Sequence, residues 1–353
     1  MILSRHVTLT TGLAMLGALL LLFIVKVTFA YLGQLSELTP DYQALDALRY
    51  VLWDAPAEFY NLLPIAALIG AVVGLGALAS NSELVVMRAA GVSLWRIVGW
   101  VLRPAVLLML ISLAMTEWVI PYTSEQAQQV RHSAKAVAAL GEVRGYWVRD
   151  HNRYVRVDYA SAAGELRGVR AITLNDQHRL AQTLLADQGQ YQHGQHWKLS
   201  GVALANVQSD GSMIASTLPQ QTLALPLQPR FVHLVTQSPE DLAPSQLWSY
   251  IGYLRAQGFV PNNYRLALWQ KLAAPVALAA LVVIACSFIF GPLRQQSVGF
   301  RLVIALFVGL GFRYLQDFLG YASLIYSVSP GWFVVLPIVL MLLVGGAALR
   351  RMH

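Results

Sequence analysis

Six stretches of this chain are apolar for too long to suit a water-soluble fold. The first, "VTLTTGLAMLGALLLLFIVKVTFAYLGQL", covers about residues 7–33. The others cover about 58–79, 96–120, 266–290, 298–319 and 331–349. A helix needs about 20 consecutive apolar residues to cross the hydrocarbon core. A cleaved secretion signal is the rival reading for the first run. Its apolar core would be roughly 7–15 residues long. This run is longer and carries Lys26 near its far end, so a retained span is expected. Only 12% of the residues are charged, against roughly a quarter in soluble domains.

Six spans put both termini on one side of the membrane. Basic residues in short loops decide which side. The loops on the N-terminal side hold Arg5, Arg88, Arg96, Arg294, Arg301, Arg350 and Arg351 against Glu83. The opposite loops hold Glu37, Asp41, Asp46, Asp54, Glu58 and Asp317 against Arg49. Both termini are therefore expected in the cytoplasm. The net charge of +7 is largely accounted for by these flanks and calls for no nucleic acid. Cys286 is the only cysteine, which excludes an intrachain disulfide and argues against a cysteine metal site.

The long polar segment between the third and fourth runs reads as a folded insert. "GYWVRDHNRYVRVDYA" (145–160) predicts two strands around Asp150-His151-Asn152. Further β-favouring stretches punctuated by Gly, Asn and Asp continue to about residue 235. Helices are expected on both sides of it. "SEQAQQVRHSAKAVAAL" (124–140) continues outward from the third span. "SPEDLAPSQLWSYIGYLRAQG" (238–258) starts with helix-opening residues and ends at Gly258. Its Leu247, Ile251 and Leu254 share one face, as does the stripe Leu45, Leu48 and Leu52. Both stripes suit a membrane surface. The expected divisions are residues 1–121 (spans one to three), 122–240 (the insert with its flanking helix) and 241–353 (an interfacial helix and spans four to six).

Catalytic signatures are missing. No Gly-Lys pair exists to build a nucleotide-cradling Walker loop, and no His-Glu-x-x-His occurs. No Gly-x-Ser-x-Gly elbow supports a nucleophile. The chain is expected to be non-catalytic and to hold no cofactor or metal. Energy would come from a partner.

"SNSELVVMRAAGVSLWRI" (80–97) lies between the second and third spans. Ser80 and Glu83 fit a capping box, and Gly91 fits a helix terminator. A short cytoplasmic helix over 80–91 follows, marginal in water without a partner. It is either a loop tidied against the spans or a coupling helix docked on a cytoplasmic ATPase.

"SELVVMRAAGVSLWRI" resembles the signature loop of the LptF/LptG family of lipopolysaccharide export permeases. "SFIFGPLRQQSVGFR" (287–301) and "LWQKLAAPVALAAL" at the start of the fourth span are similar too, and the likeness extends along the whole chain. "FGPLR" and a basic residue near the outer end of the first span resemble the LptG branch. The resemblance implies an α-helical membrane protein with six transmembrane helices. A periplasmic β-jellyroll domain would be inserted between helices 3 and 4. It implies an LptF-like permease partner in a heterodimer, an LptB-like ATPase dimer that binds ATP and Mg, and an LptC-like bitopic protein. The complex would extract lipopolysaccharide from the outer leaflet of the bacterial inner membrane and pass it to a periplasmic bridge. Glu83, Leu84, Met87, Arg88 and Gly91 would couple to the ATPase.

The resemblance also assigns Lys26 to the anionic lipid. A snorkelling anchor is the plainer alternative. The family's additional lysines after this position are missing from "TFAYLGQLSEL". Arg131, His132 and Lys135 could complete the patch, or form an ordinary solvated face. Arg313 either pairs with Asp317 one turn on or meets the lipid. Glu117 is placed to answer one of these bases. Phe23, Phe29, Leu62, Ile65, Phe312 and Leu315 are candidate walls for acyl chains. Gly70-x-x-x-Gly74 permits close helix packing. Two rival functions are a membrane-anchored scaffold with no ATPase and an ion-coupled transporter. The second calls for paired acids deep in the spans and an inverted repeat, neither of which is evident.

Overall fold

The computed structural model describes residues 2–40, 42–135, 146–150, 152–160, 164–175, 177, 179–193, 196–208, 212–224, 237–256, 260–291, 296–326 and 328–352. Asp41, His151, Gly258 and Arg294, with the side chains of His132 and Lys135, lie outside this set. Six helical runs among the described residues are long and apolar enough to cross a membrane. They are α1 (Ile2–Leu35), α2 (Ala44–Ser80), α4 (Leu94–Ala114) with its continuation, α7 (Asn262–Phe290), α8 (Val298–Ile325) and α9 (Pro330–Arg351). Between α2 and α4 lies the short α3 (Glu83–Ala89). Helices α2 and α7 are the most buried of the six runs, while α1 and α8 turn most of their surface outward.

The second span reaches further than its apolar run. The stretch from residue 44 joins it as one continuous helix, opened by a reciprocal capping box between Gln43 and Asp46. Leu45, Leu48 and Leu52 remain exposed on it. The third span also runs on, through a π-helical turn (Met115–Val119) into α5 (Ile120–Lys135). Pro121 explains the turn. It has no N–H to offer the Glu117 carbonyl, and its ring would clash with that group. The helix opens by one residue just before it, and the Ile120 amide bonds the Met115 carbonyl instead.

The helix after the insert is α6 (Pro244–Ala256). Its Leu247, Ile251 and Leu254 do not lie on a membrane surface as expected, because all three are buried. Tyr250 on the same helix is also buried and meets the ring of Tyr264 on α7 edge-on at 4.8 Å. The apolar stripe is an internal packing face.

The chain forms two compact units, one of residues 1–135 with 240–353 and one of residues 136–239. Helix α5 stays with the spans because it continues the third of them. Among its described residues the inserted unit is a six-stranded antiparallel sheet with strands in sequence order. They are β1 (Tyr146–Asp150), β2 (Arg153–Ala160), β3 (Glu165–Leu174), β4 (Leu180–Tyr191), β5 (His196–Val207) and β6 (Met213–Ala224). The expected hairpin around residue 151 is present, with Asp150 opposite Arg153.

One face of this sheet holds its core: Val155, Val157, Leu166, Val169, Leu184, Ala186, Trp197, Leu199, Val202 and Leu204 are buried. Alternation alone would put odd or even positions inside along a whole strand. The buried set instead changes phase within β3, between Leu166 and Val169, and within β5, between Leu199 and Val202. Gly168 (φ +64°) and Gly201 (φ +65°) sit at those two steps. A Cβ at either would run into a carboxylate of the neighbouring strand, Asp158 or Asp187. Trp197 is fully buried and meets Tyr191 edge-on at 5.3 Å. Trp197→Ala is expected to cost about 3–5 kcal/mol. Limited proteolysis checks this: cleavage should become rapid within 146–224 while the spans stay intact.

Candidate functional site

One end of the helical unit collects the start of α1, the end of α2, α3 and the start of α4. There the His6 imidazole meets the Glu83 carboxylate at 2.7 Å, and Thr8 donates to the Trp100 carbonyl at 3.0 Å. Arg301 at the start of α8 is buried and donates to the Gly76 carbonyl at 3.3 Å.

Helix α3 is shorter than expected and is capped differently. Ser80 ends α2 and donates back to the Ala77 carbonyl, so it forms no box with Glu83. The residue before the helix is Ser82, at φ 59°, and it makes no side-chain cap. The C-terminus does follow the glycine expectation. Gly91 sits at φ +83°, its amide bonds the Arg88 carbonyl, and the Val92 amide bonds the Met87 carbonyl. This is the paired pattern of a Schellman stop. Leu84 and Met87 point inward, 5% and 3% exposed. Val85 and Val86 point outward, Val86 being 65% exposed. Arg88 is half-buried. The five residues singled out in this helix and its stop thus divide into inward anchors (Leu84, Met87), a tethered acid (Glu83), a flanking cation (Arg88) and a terminator (Gly91).

At the opposite end, the bases meet acids. The Lys26 ammonium lies 3.4 Å from a Glu58 oxygen on α2, and its side chain is 49% exposed. Phe23, one turn earlier, packs edge-on against Phe59. Arg131 bonds Glu37 at 3.0 Å and lies over the Tyr50 ring. Phe29 is exposed on α1 and Leu315 on α8. By sequence Glu58 is one of the acids of the loops opposite the N-terminus. Its pairing was foreshadowed by depth, since the acid and the base fall near the same end of consecutive antiparallel spans.

A cavity of about 280 Å³ opens inside the helical unit between α2, α7 and α8. Ile65, Phe312 and Arg313 line it together, whereas Leu62 packs against the core beside it. Its lining is graded along the spans. Tyr60, Asn61, Gln270, Lys271, Arg313 and Gln316 lie toward the end away from α3. Toward mid-span the walls are apolar, with Leu278, Leu281 and Gly309 among them. Arg313 pairs with Asp317 at 3.1 Å, the intrahelical alternative of the two readings.

Polar contacts that the sequence did not disclose fasten this end. Glu117 is carried on the π-helical turn. It accepts from both the amide and the hydroxyl of Ser245, where a carboxylate also suits the positive end of α6. Asp241 accepts from Ser124 at 3.3 Å and Gln128 at 3.2 Å, both on α5. Burial pushes the Asp241 carboxyl up from its ordinary value, while the Ser124 bond and the Lys271 charge oppose that rise. Lys271 is buried on α7, and its ammonium has no hydrogen-bond partner among the described residues. No sequence periodicity marks it, because it stands one turn into an apolar run.

Matching the whole chain against known families gives one result that spans both units. Residues 5–351 match the family described as "Lipopolysaccharide export system permease LptF/LptG". The chain belongs to the LptF/LptG family. It is LptG-like within it. Lipopolysaccharide export system permease protein LptG of Escherichia coli K12 is 30% identical over 95% of this chain and 94% of its own length. The Haemophilus influenzae LptG is 29% identical over 92% and 93%. The Escherichia coli LptF protein matches over 40% of each chain, at 30% identity. The family match takes in all six spans and the inserted β unit.

Proposed function

We propose that this chain is the LptG-like half of a lipopolysaccharide exporter. The observation that carries the proposal is the match over residues 5–351, which takes in all six spans and the β unit. In this reading an LptF-like permease covers the outward faces of α1 and α8. An LptB-like ATPase dimer supplies ATP hydrolysis with its own Mg, and an LptC-like bitopic protein joins the assembly. Both termini and α3 lie in the cytoplasm, which the arginine-rich loops at that end favour. The β unit lies in the periplasm and passes the lipid to the bridge.

Within the membrane, the graded cavity suits an amphiphile, with acyl chains at the apolar level and polar groups at the other end. On α1, a lipid phosphate competes with Glu58 for Lys26. Arg131, and with it His132 and Lys135 on α5, adds positive charge for the same head group. ATP-driven closure of the ATPase pushes α3 and narrows the space between the permeases.

Two variants test the lipid assignment together. Lys26→Gln is expected to reduce photo-crosslinking of lipopolysaccharide to the assembled exporter several-fold. Glu58→Gln removes the competitor and is expected to raise it. Equal crosslinking in both variants and the parent would end the substrate role of Lys26 and leave it as an anchor. A membrane scaffold, the rival function, predicts that detergent extracts contain the β unit's partner and no ATPase.

A further inference from the structure

We propose that His6 is a positioning residue for Glu83, and that through this contact α3 drives α1 as a lever about its crossing with α2. The proposal rests on the coupling reading of α3 and adds the part that receives the push.

Three observations define the lever. First, α1 is fully buried only along its first half. Its buried residues are Val7, Thr11, Met15 and Leu19, a stripe at intervals of four, and none follows Leu19 up to Leu35. Second, the crossing is backbone on backbone. A Cβ on Gly74 would come within 2.8 Å of the Thr11 Cα, and one on Gly70 would fall inside the backbone of Met15. Neither glycine puts a side chain of α2 between the helices, so they can rock about this close contact but cannot slide freely. Third, polar contacts flank the crossing on both sides. His6 meets Glu83 at 2.7 Å on the short arm, and Lys26 meets Glu58 at 3.4 Å on the long arm.

The arm lengths follow from helix geometry. With the pivot near residue 13, His6 lies about 10 Å away and Lys26 about 20 Å away at 1.5 Å per residue. Helix α1 contains no proline, the commonest cause of a sharp kink, so it transmits tilt. A shift of about 1 Å at His6 becomes about 2 Å at Lys26. That is enough to part an ion pair already at 3.4 Å. The His6–Glu83 pair is half-exposed and contributes little stability. Its role is to make α1 follow α3, while Thr8 bound to Trp100 holds the same arm against α4.

The test uses the assembled exporter in lipid vesicles. Spin labels replace Leu32 on α1 and Leu52 on α2, both exposed. Their separation is measured with the ATPase nucleotide-free and trapped with ATP and vanadate. The expected result is a nucleotide-dependent change in separation that His6→Ala abolishes, with lipid released per ATP falling several-fold. His6→Gln should restore both, because its amide can donate to Glu83 where the ring nitrogen did. An undiminished separation change and an undiminished release ratio in His6→Ala overturn the lever and leave the coupling reading standing. A parent complex whose separation ignores nucleotide overturns both.

Discussion

Gly70→Leu is expected to prevent stable accumulation of the folded chain in the membrane. The added Cβ alone would overlap the Met15 backbone. A clash with a side-chain tip can be relieved by a rotamer change, but backbone atoms of a helix cannot turn away. Overpacked cores typically lose about 1–3 kcal/mol, and here the only relief is to separate α1 from α2. That would also uncover Gly70 and Gly74 on α2 and Thr11 and Met15 on α1, all of them buried. Even Gly70→Ala should lower the unfolding midpoint in detergent measurably. Gly17→Ala is the control, since nothing lies within 4 Å of a Cβ built there. The check is membrane yield together with fluorescence-detected gel filtration. A monodisperse Gly70→Leu protein at parental yield would refute the close crossing and remove the pivot on which the lever depends.

This pair of glycines was legible in the sequence as a packing motif, but the partner helix was not. The same division runs through the molecule. Span number, the position of the β insert and the first hairpin follow from apolar length and β-favouring residues, which are local properties. The ends of the spans were misjudged where local rules compete. A capping box at Ser80 lost to continuation of α2, and a genuine box formed at Gln43 and Asp46, where no apolar run begins. The stripe on α6 was read correctly as a stripe and given the wrong neighbour. Periodicity reports which face is apolar and says nothing of whether lipid or protein covers it. Pairings between distant residues were the least legible. Arg313 with Asp317 follows from spacing within one helix, whereas Lys26 with Glu58, Arg131 with Glu37 and His6 with Glu83 require the helix packing to be known.

Val86→Asp is expected to strip the ATPase from the purified complex while leaving this chain folded. A seven-residue helix has too few internal hydrogen bonds to persist alone in water. Helix α3 persists because Leu84 and Met87 anchor it to the spans. That anchoring fixes which side remains available: Val85, Val86, Ala89 and Ala90 face out. Glu83 is held by His6, and the most exposed large apolar side chain of α3 is Val86, not the inward Met87. In the proposed docking of α3 on an ATPase, an aspartate there would bury an unpaired carboxylate in the interface, a cost well above the ~1.4 kcal/mol that weakens binding tenfold. Met87→Ala acts by the other route. It removes an anchor at about 2–5 kcal/mol, loosening α3 from the spans so that hydrolysis continues with less transport. Measuring ATPase stoichiometry and lipid released per ATP for both variants separates docking from transmission. If Val86→Asp retained a full complement of ATPase, the outward face of α3 would not be the docking surface, and the ATPase would have to grip the permease through the arginine-bearing loops beside it.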